Sequence, residues 1–360
     1  MTKPGPAMSH WLRGPLTGTL LLALPILAVA FLGESVGSLT AERVVTLLFI
    51  NIVLVVGMQC FIGLSGFVSL GHVAFMAIGA YVAAVLATPT AIKTTSIPDA
   101  PAFIIGMSLG FVPAIAAAVV FSMAVALVIG IIIARLSAAA APIATLSWMI
   151  VVSVFLSNMT SLTRGDQTFY GIPRSTHILA AAAAAILAVF VARCLRDSSV
   201  GLALRSSRKD ELAARANGVD VPRVRLAAWV VSAGIVAAGG ALYAQQLGAI
   251  SPKLFLYDTT FLLLAMVVIG GRSISGAVVG VALVTVVVEI LKRVENKVAI
   301  AGHDLFGLAN IGLGLIIVVT MVFHADGIMG RWEFDEIAAR RKGGRMKSKT
   351  NFNKGKETAL

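Results

Sequence analysis

The stretch that decides the fold is Leu64-Ser65-Gly66-Phe67-Val68-Ser69-Leu70-Gly71-His72-Val73-Ala74-Phe75-Met76-Ala77-Ile78-Gly79-Ala80-Tyr81. It lies inside a run, 44–92, that contains no Asp, Glu, Lys or Arg. One membrane crossing needs roughly 20 apolar residues, so this run holds more than one. Ser65, Ser69 and His72 fall at i, i+4 and i+7, which on a continuous helix is one face. Gly66, Gly71 and Gly79 allow another backbone to come close, or allow the helix to break. A polar stripe on a Gly-rich helix at membrane depth predicts a passage lining, with Ser65, Ser69 and His72 facing it.

Working outward, the whole chain reads as a polytopic membrane protein. Of its 360 residues 58% are hydrophobic and 13% charged, against about 25% charged in a soluble domain. The net charge of +12 sits between and after the apolar runs, which favours an orientation signal over nucleic-acid binding. Cys60 and Cys194 give neither a disulfide framework nor a metal-ligand spacing. No Gly-x-x-x-x-Gly-Lys-Ser/Thr occurs, and there is no catalytic triad or paired carboxylate set. The fold class is therefore an all-α bundle of about ten crossings, and the protein is not an enzyme.

The expected crossings are 16–32, 44–62, 65–87, one within 103–134, 142–157, 177–192, 226–247, 254–269, 274–291 and 305–323. Asn51 and Gln59 add polar groups to the second, and with Ser65, Ser69 and His72 complete the predicted substrate path. The tight turn between crossings two and three is expected at Gly63-Leu64. Residues 88–101, with three prolines, read as an exposed loop, and 292–304 as a polar loop. Glu289, the acid within crossing nine, reads as a snorkelling group near its polar end. With both termini inside, 21 of the 29 basic residues fall on inner segments, which fits the positive-inside rule. The densest group of exceptions is Lys292, Arg293 and Lys297, on the outer side. Organisation follows: an inner N-terminus 1–15, a membrane domain 16–324 with an inner loop 193–225, and a basic tail 325–360 that reads as mobile.

Within the inner loop, 201–218 reads as a short helix with Asp210 and Glu211 at its acidic start and Gly218 as the residue that ends it. Leu212, Ala213 and Ala216 form a small apolar face that could seat in a cleft of a soluble partner; a solvated connector helix is the alternative. Ala237-Ala238-Gly239-Gly240-Ala241 has small residues at close-packing spacing. Gly270-Gly271-Arg272 reads as a helix break.

These motifs carry a resemblance. Leu64-Ser-Gly, Ser69-Leu-Gly-His72, Gly79-Ala-Tyr81, the string from Gly201 through Arg205, Asp210, Glu211, Ala213 and Ala214 to Gly218, and Val268-Ile-Gly270-Gly271 together resemble permease subunits of bacterial ABC importers for branched-chain amino acids. Permeases for urea or short amides are close relatives. The resemblance spans about 44–323 and departs from the family pattern at Ser137–Leu146, which has no Gly-x-Tyr-like element, and at Leu212, where the acid sits one place early. It implies a multi-pass protein of the bacterial inner membrane that binds no cofactor itself. ATP would be used by two partner ATPase subunits. A second, homologous permease and a periplasmic substrate-binding protein complete the implied assembly. It also implies that Arg205, Asp210, Glu211, Ala213, Ala214 and Gly218 form the element that couples to the ATPase. A self-sufficient secondary transporter is the competing class; it needs ion-coupling acids at mid-membrane, which the chain almost lacks.

Overall fold

In the computed structural model the described residues are 7–300, 308–323, 327–330 and 333. The chain enters with α1 (Ala7–Ser35) and α2 (Leu39–Ser65), the latter started by Ser38, whose hydroxyl accepts from the Ala41 amide. α3 (His72–Ala87) follows, then two short helices, α4 (Thr90–Ser96) and α5 (Ala102–Gly106). The long helices α6 (Phe111–Ile133) and α7 (Ala140–Asn158) lead through a single turn, α8 (Thr160–Thr163), to α9 (Ile178–Asp197). The loop after α9 forms α10 (Ser199–Lys209) and α11 (Glu211–Ala216). The chain continues with α12 (Val221–Leu247), α13 (Tyr257–Gly270), α14 (Ile274–Ile300) and α15 (Leu308–Phe323). Among the described residues the one strand pair is β1 (Phe169–Tyr170) antiparallel to β2 (Ala249–Ile250), with Phe169 opposite Ile250.

Eight of these helices are long and apolar enough to cross a membrane, and a ninth crossing results if α3 and α4, bent by 117° at 88–89, are taken as one. α3 alone has 16 residues, about 24 Å, less than the roughly 30 Å hydrocarbon core. The all-α bundle expected from the sequence is thus present.

The centre of the bundle is α12, packed on α2, α3 and α6. Small residues permit this. A Cβ on Gly240 would lie 2.0 Å from the Met76 carbonyl oxygen, and one on Gly79 would lie 2.3 Å from that of Ala237. Gly239 faces Leu54 and Val53 of α2. α3 and α12 run parallel: His72 lies beside Trp229 near their starts, and Ala83 beside Ala241 near their ends. By contrast α6 turns Val112, Val120, Phe121, Val128 and Ile132 outward, the apolar surface that lipid requires.

The connecting segments gather at two opposite ends. One end holds 66–71, α10, α11 and 271–273, tied by the Arg208 guanidinium, which donates to the Gly63 carbonyl at 2.8 Å. The other end holds α4, α5, β1 and β2, where Lys93 donates to the carbonyls of Ile104 and Met107.

Several expectations change here. The turn between the second and third helices is at Gly66–Gly71, because Gly66 adopts φ +77° and caps α2. Segment 88–101 is a folded piece, with Lys93 and Ile97 buried. The helix read over 201–218 is broken at Asp210, whose carboxylate accepts from the Ala213 amide and starts α11 afresh. Residues 292–300 continue α14 instead of forming a polar loop. The first residues of the segment read as a mobile tail are docked. The Glu333 carboxylate is buried, accepts from the Ile274 and Ser275 amides at the start of α14, and pairs with Arg193 at 3.1 Å. The remainder of the tail, 334–360, and residues 1–6 lie outside the described residues.

Candidate functional site

Ser65, Ser69 and His72 do not form one helical face. Ser65 is the last residue of α2; its hydroxyl donates to the Phe61 carbonyl at 2.6 Å and accepts from the Phe67 amide. Ser69 lies in the connecting segment, and His72 opens α3 with its Nδ1 2.7 Å from the Ser69 hydroxyl. All three are buried. The His72 ring is enclosed by aromatic rings, with Trp229 edge-on at 4.8 Å and Phe61 at 5.7 Å. Trp229 also meets Phe61 and Phe75 edge-on. The expectation of a polar stripe lining a passage gives way to a packed knot at the break between α2 and α3. The left-handed Gly66 ends the helix that would have aligned the three polar groups. Trp229, the residue at the middle of this knot, was not singled out in the sequence; a lone Trp in an apolar run carries no periodic signal.

Three elements grip this break. From α7, the Thr145 hydroxyl accepts from the Leu70 amide at 3.2 Å, and the Thr145 carbonyl lies against Gly71. From α10, the Arg208 side chain lies across Gly66. From α12, the Arg225 guanidinium sits 4.2 Å over the Phe67 ring. The same Arg225 pairs with Glu211 at 2.6 Å, and Glu211 also holds Arg215 at 2.5 Å. Burial alone would raise the Glu211 pKa, yet the hydrogen bonds and charges of Arg225, then Arg215, hold it below its ordinary value.

Of the residues expected to couple to a partner, Asp210, Ala213 and Gly218 are exposed at α11 and its ends, Glu211 is half-buried, and Ala214 and Arg205 are not exposed. Leu212 and Ala213 are exposed while Ala214 is buried against the body. Gly218 ends α11 as the sequence predicts: it adopts φ +81°, its amide bonds to the Arg215 carbonyl, and the Val219 amide bonds to the Ala214 carbonyl. Arg205 is turned inward and donates to the Arg196 carbonyl.

Two cavities flank the bundle's centre. One, about 460 Å3 at the α10 end and named inner after the orientation expected from the sequence, is lined by Gln59, Gly63, Arg196, Arg208, Arg272 and Glu333 among others. The outer one, about 180 Å3 in the half nearer β1 and β2, is lined by Asn51, Met76, Tyr243, Leu263, Thr285 and Glu289 among others. Asn51 and Gln59, eight residues or about 12 Å apart on α2, therefore open one into each cavity. Ser65, Ser69 and His72 line neither. Gln59 also donates to the Gly271 carbonyl at 3.0 Å, where Gly270 packs against Gly276 across the break between α13 and α14. Among the described residues no cluster of His, Cys, Asp or Glu could hold a metal ion.

A family model described as the permease component of branched-chain amino acid transport systems matches residues 40–322, from the start of α2 to the end of α15. The chain belongs to this family. The permease is also 27% identical over 343 residues to the high-affinity branched-chain amino acid transport system permease protein LivM of Escherichia coli, and equally to that of Salmonella typhimurium. Each alignment covers 86% of this chain and 74% of the relative. No solved structure matches the chain significantly. The permease is thus a transmembrane transport subunit.

Proposed function

We propose that the permease forms the inner-membrane path for branched-chain amino acids in a bacterial ABC importer, driven by two separate ATPase subunits. A second, homologous permease would complete the path, and a periplasmic binding protein would deliver substrate. In this reading the chain crosses the membrane ten times with both termini cytoplasmic. The ten helices of 14 residues or more, whose connections alternate between two ends, support that count. So does the excess of basic residues on the segments this assigns to the cytoplasm.

The observation that carries the coupling assignment is α11 itself. It exposes Leu212 and Ala213 to a partner, and Glu211 joins it through Arg225 to the break between α2 and α3. Closure of the ATPases would push on α10 and α11, and the two arginines would pass the displacement to 66–71. Substrate would move from the outer cavity past Asn51 toward Gln59 and the inner cavity. Gly218→Arg tests the docking role. Nothing lies within 4 Å of a Cβ there, but the left-handed turn and the docking face would both be disturbed. We expect leucine uptake in cells to be abolished at unchanged membrane abundance. Full uptake by that variant would contradict the assignment.

A further inference from the structure

The cations Lys292, Arg293 and Lys297 sit on what the proposed orientation makes the outer side, against the rule that basic residues collect inside. Because α14 continues through them, they are carried on a helix and not on a free loop. Lys292 and Glu289 both line the outer cavity. They are three residues apart on α14, which puts a cation and an anion on one face. Below them the cavity wall is aliphatic: Leu47, Leu263, Met266 and Val288. The cavity also reaches Thr285, whose buried hydroxyl has no hydrogen-bond partner among the described residues. At about 180 Å3 it is smaller than the roughly 300–1,000 Å3 of drug-sized ligand sites.

We propose that this outer cavity holds one small zwitterion with a branched aliphatic side chain, at the entrance to the path. The α-carboxylate meets the Lys292 ammonium, the α-ammonium meets Glu289, and the side chain lies on the Leu263, Met266 and Val288 wall. Glu289 is joined to Arg293 at 2.9 Å, but an ionised carboxylate has about four acceptor sites, so it can receive an ammonium while keeping the arginine. Opposite charges one helical turn apart beside an apolar wall discriminate in two ways. Urea and short amides can hydrogen-bond to the pair but bring no opposite charges and no branched side chain for the wall, and an acidic amino acid would bring a second carboxylate onto aliphatic surface. This reading rests on the importer function proposed above and names where in the chain its substrate first sits.

The test uses the complete importer in membranes, with Cys60 and Cys194 replaced by Ser and Thr259→Cys placed on the cavity wall. A membrane-impermeant thiol reagent is added from the binding-protein side without ATP, and leucine is titrated into the millimolar range. We expect leucine to slow labelling about tenfold once it reaches ten times its dissociation constant. Glutamate and urea should not slow it, and Lys292→Met should remove the protection. A second measurement covers a failed thiol variant: Lys292→Met in the otherwise native complex should lower leucine uptake at unchanged assembly, and Lys292→Arg, which keeps the cation, should restore it. Labelling unaffected by leucine in a complex that imports leucine would overturn the site and leave the importer function standing. The same holds for full uptake by Lys292→Met, which would reduce Lys292 to a snorkelling side chain. A native complex that imports no leucine would instead overturn the importer function.

Discussion

Arg225 stands at the base of α12 with Glu211 on one side and the face of Phe67 on the other. One side chain thereby connects the outermost helix of the inner end to the segment that ends α2. Arg225→Gln keeps a polar group but loses the charge for Glu211 and the cation over the ring. Assembly and ATP hydrolysis should persist, while substrate imported per ATP falls by about 5–150-fold, the range of ordinary coupling energies. Unchanged stoichiometry in the reconstituted complex would show that Arg225 only packs. The Glu211 contact also has a pH signature. Its folded-state pKa lies below the ordinary 4.5, so its stabilisation is fully present above that value and is lost as pH falls through the folded pKa. Coupling should therefore be insensitive to acidification until the pH drops below the ordinary carboxylate range. At this scale the sequence was partly readable. Gly218 announced its left-handed turn because glycine is the residue that adopts one at little cost. Ser65, Ser69 and His72 misled for the same reason in reverse: a periodic polar stripe assumes an unbroken helix, and Gly66 breaks it.

Among the elements, α12 decides the packing. Its contact with α3 is backbone against side-chain-free backbone, which lets dispersion and close approach stand in for a hydrophobic force that lipid does not supply. Gly240→Leu would drive a side chain into the Met76 carbonyl, an overpacking that costs about 1–3 kcal/mol or more. Membrane abundance and the midpoint of thermal unfolding in detergent should both fall, whereas Gly314→Ala on α15, with nothing within 4 Å, should leave them unchanged. Equal behaviour of the two variants would remove the packing argument. The small-residue string of α12 was legible because spacing alone predicts close approach. The end of α3 at Ala87 was legible too, because Pro89 and the prolines after it mark the bend, but its late start at His72 was not, since the apolar run continues without charges from α2 through the break. The docked Glu333 was equally hidden. Its partners Arg193, Ser275 and the start of α14 lie far back in the chain, and composition marked the surrounding tail as basic and solvated.

For the whole molecule, the structure combines a packed centre with a cavity at either side of it, lined from α2 by Gln59 in one and Asn51 in the other. Asn51 and Gln59 were found in the sequence as polar residues in an apolar run, and the structure places them about 12 Å apart on the helix, one at each cavity; in the proposed function they are two stations of one path. In the proposed orientation α11 lies at the cytoplasmic end, where a push from the ATPases would act. The account's central claim is that this chain transports only as part of an ATP-driven assembly. The most direct measurement is uptake of labelled leucine into proteoliposomes holding the permease with its second permease, ATPase subunits and loaded binding protein, each component omitted in turn. Uptake that requires every component and ATP is the predicted result. Uptake by the permease alone, driven by an ion gradient, would contradict it.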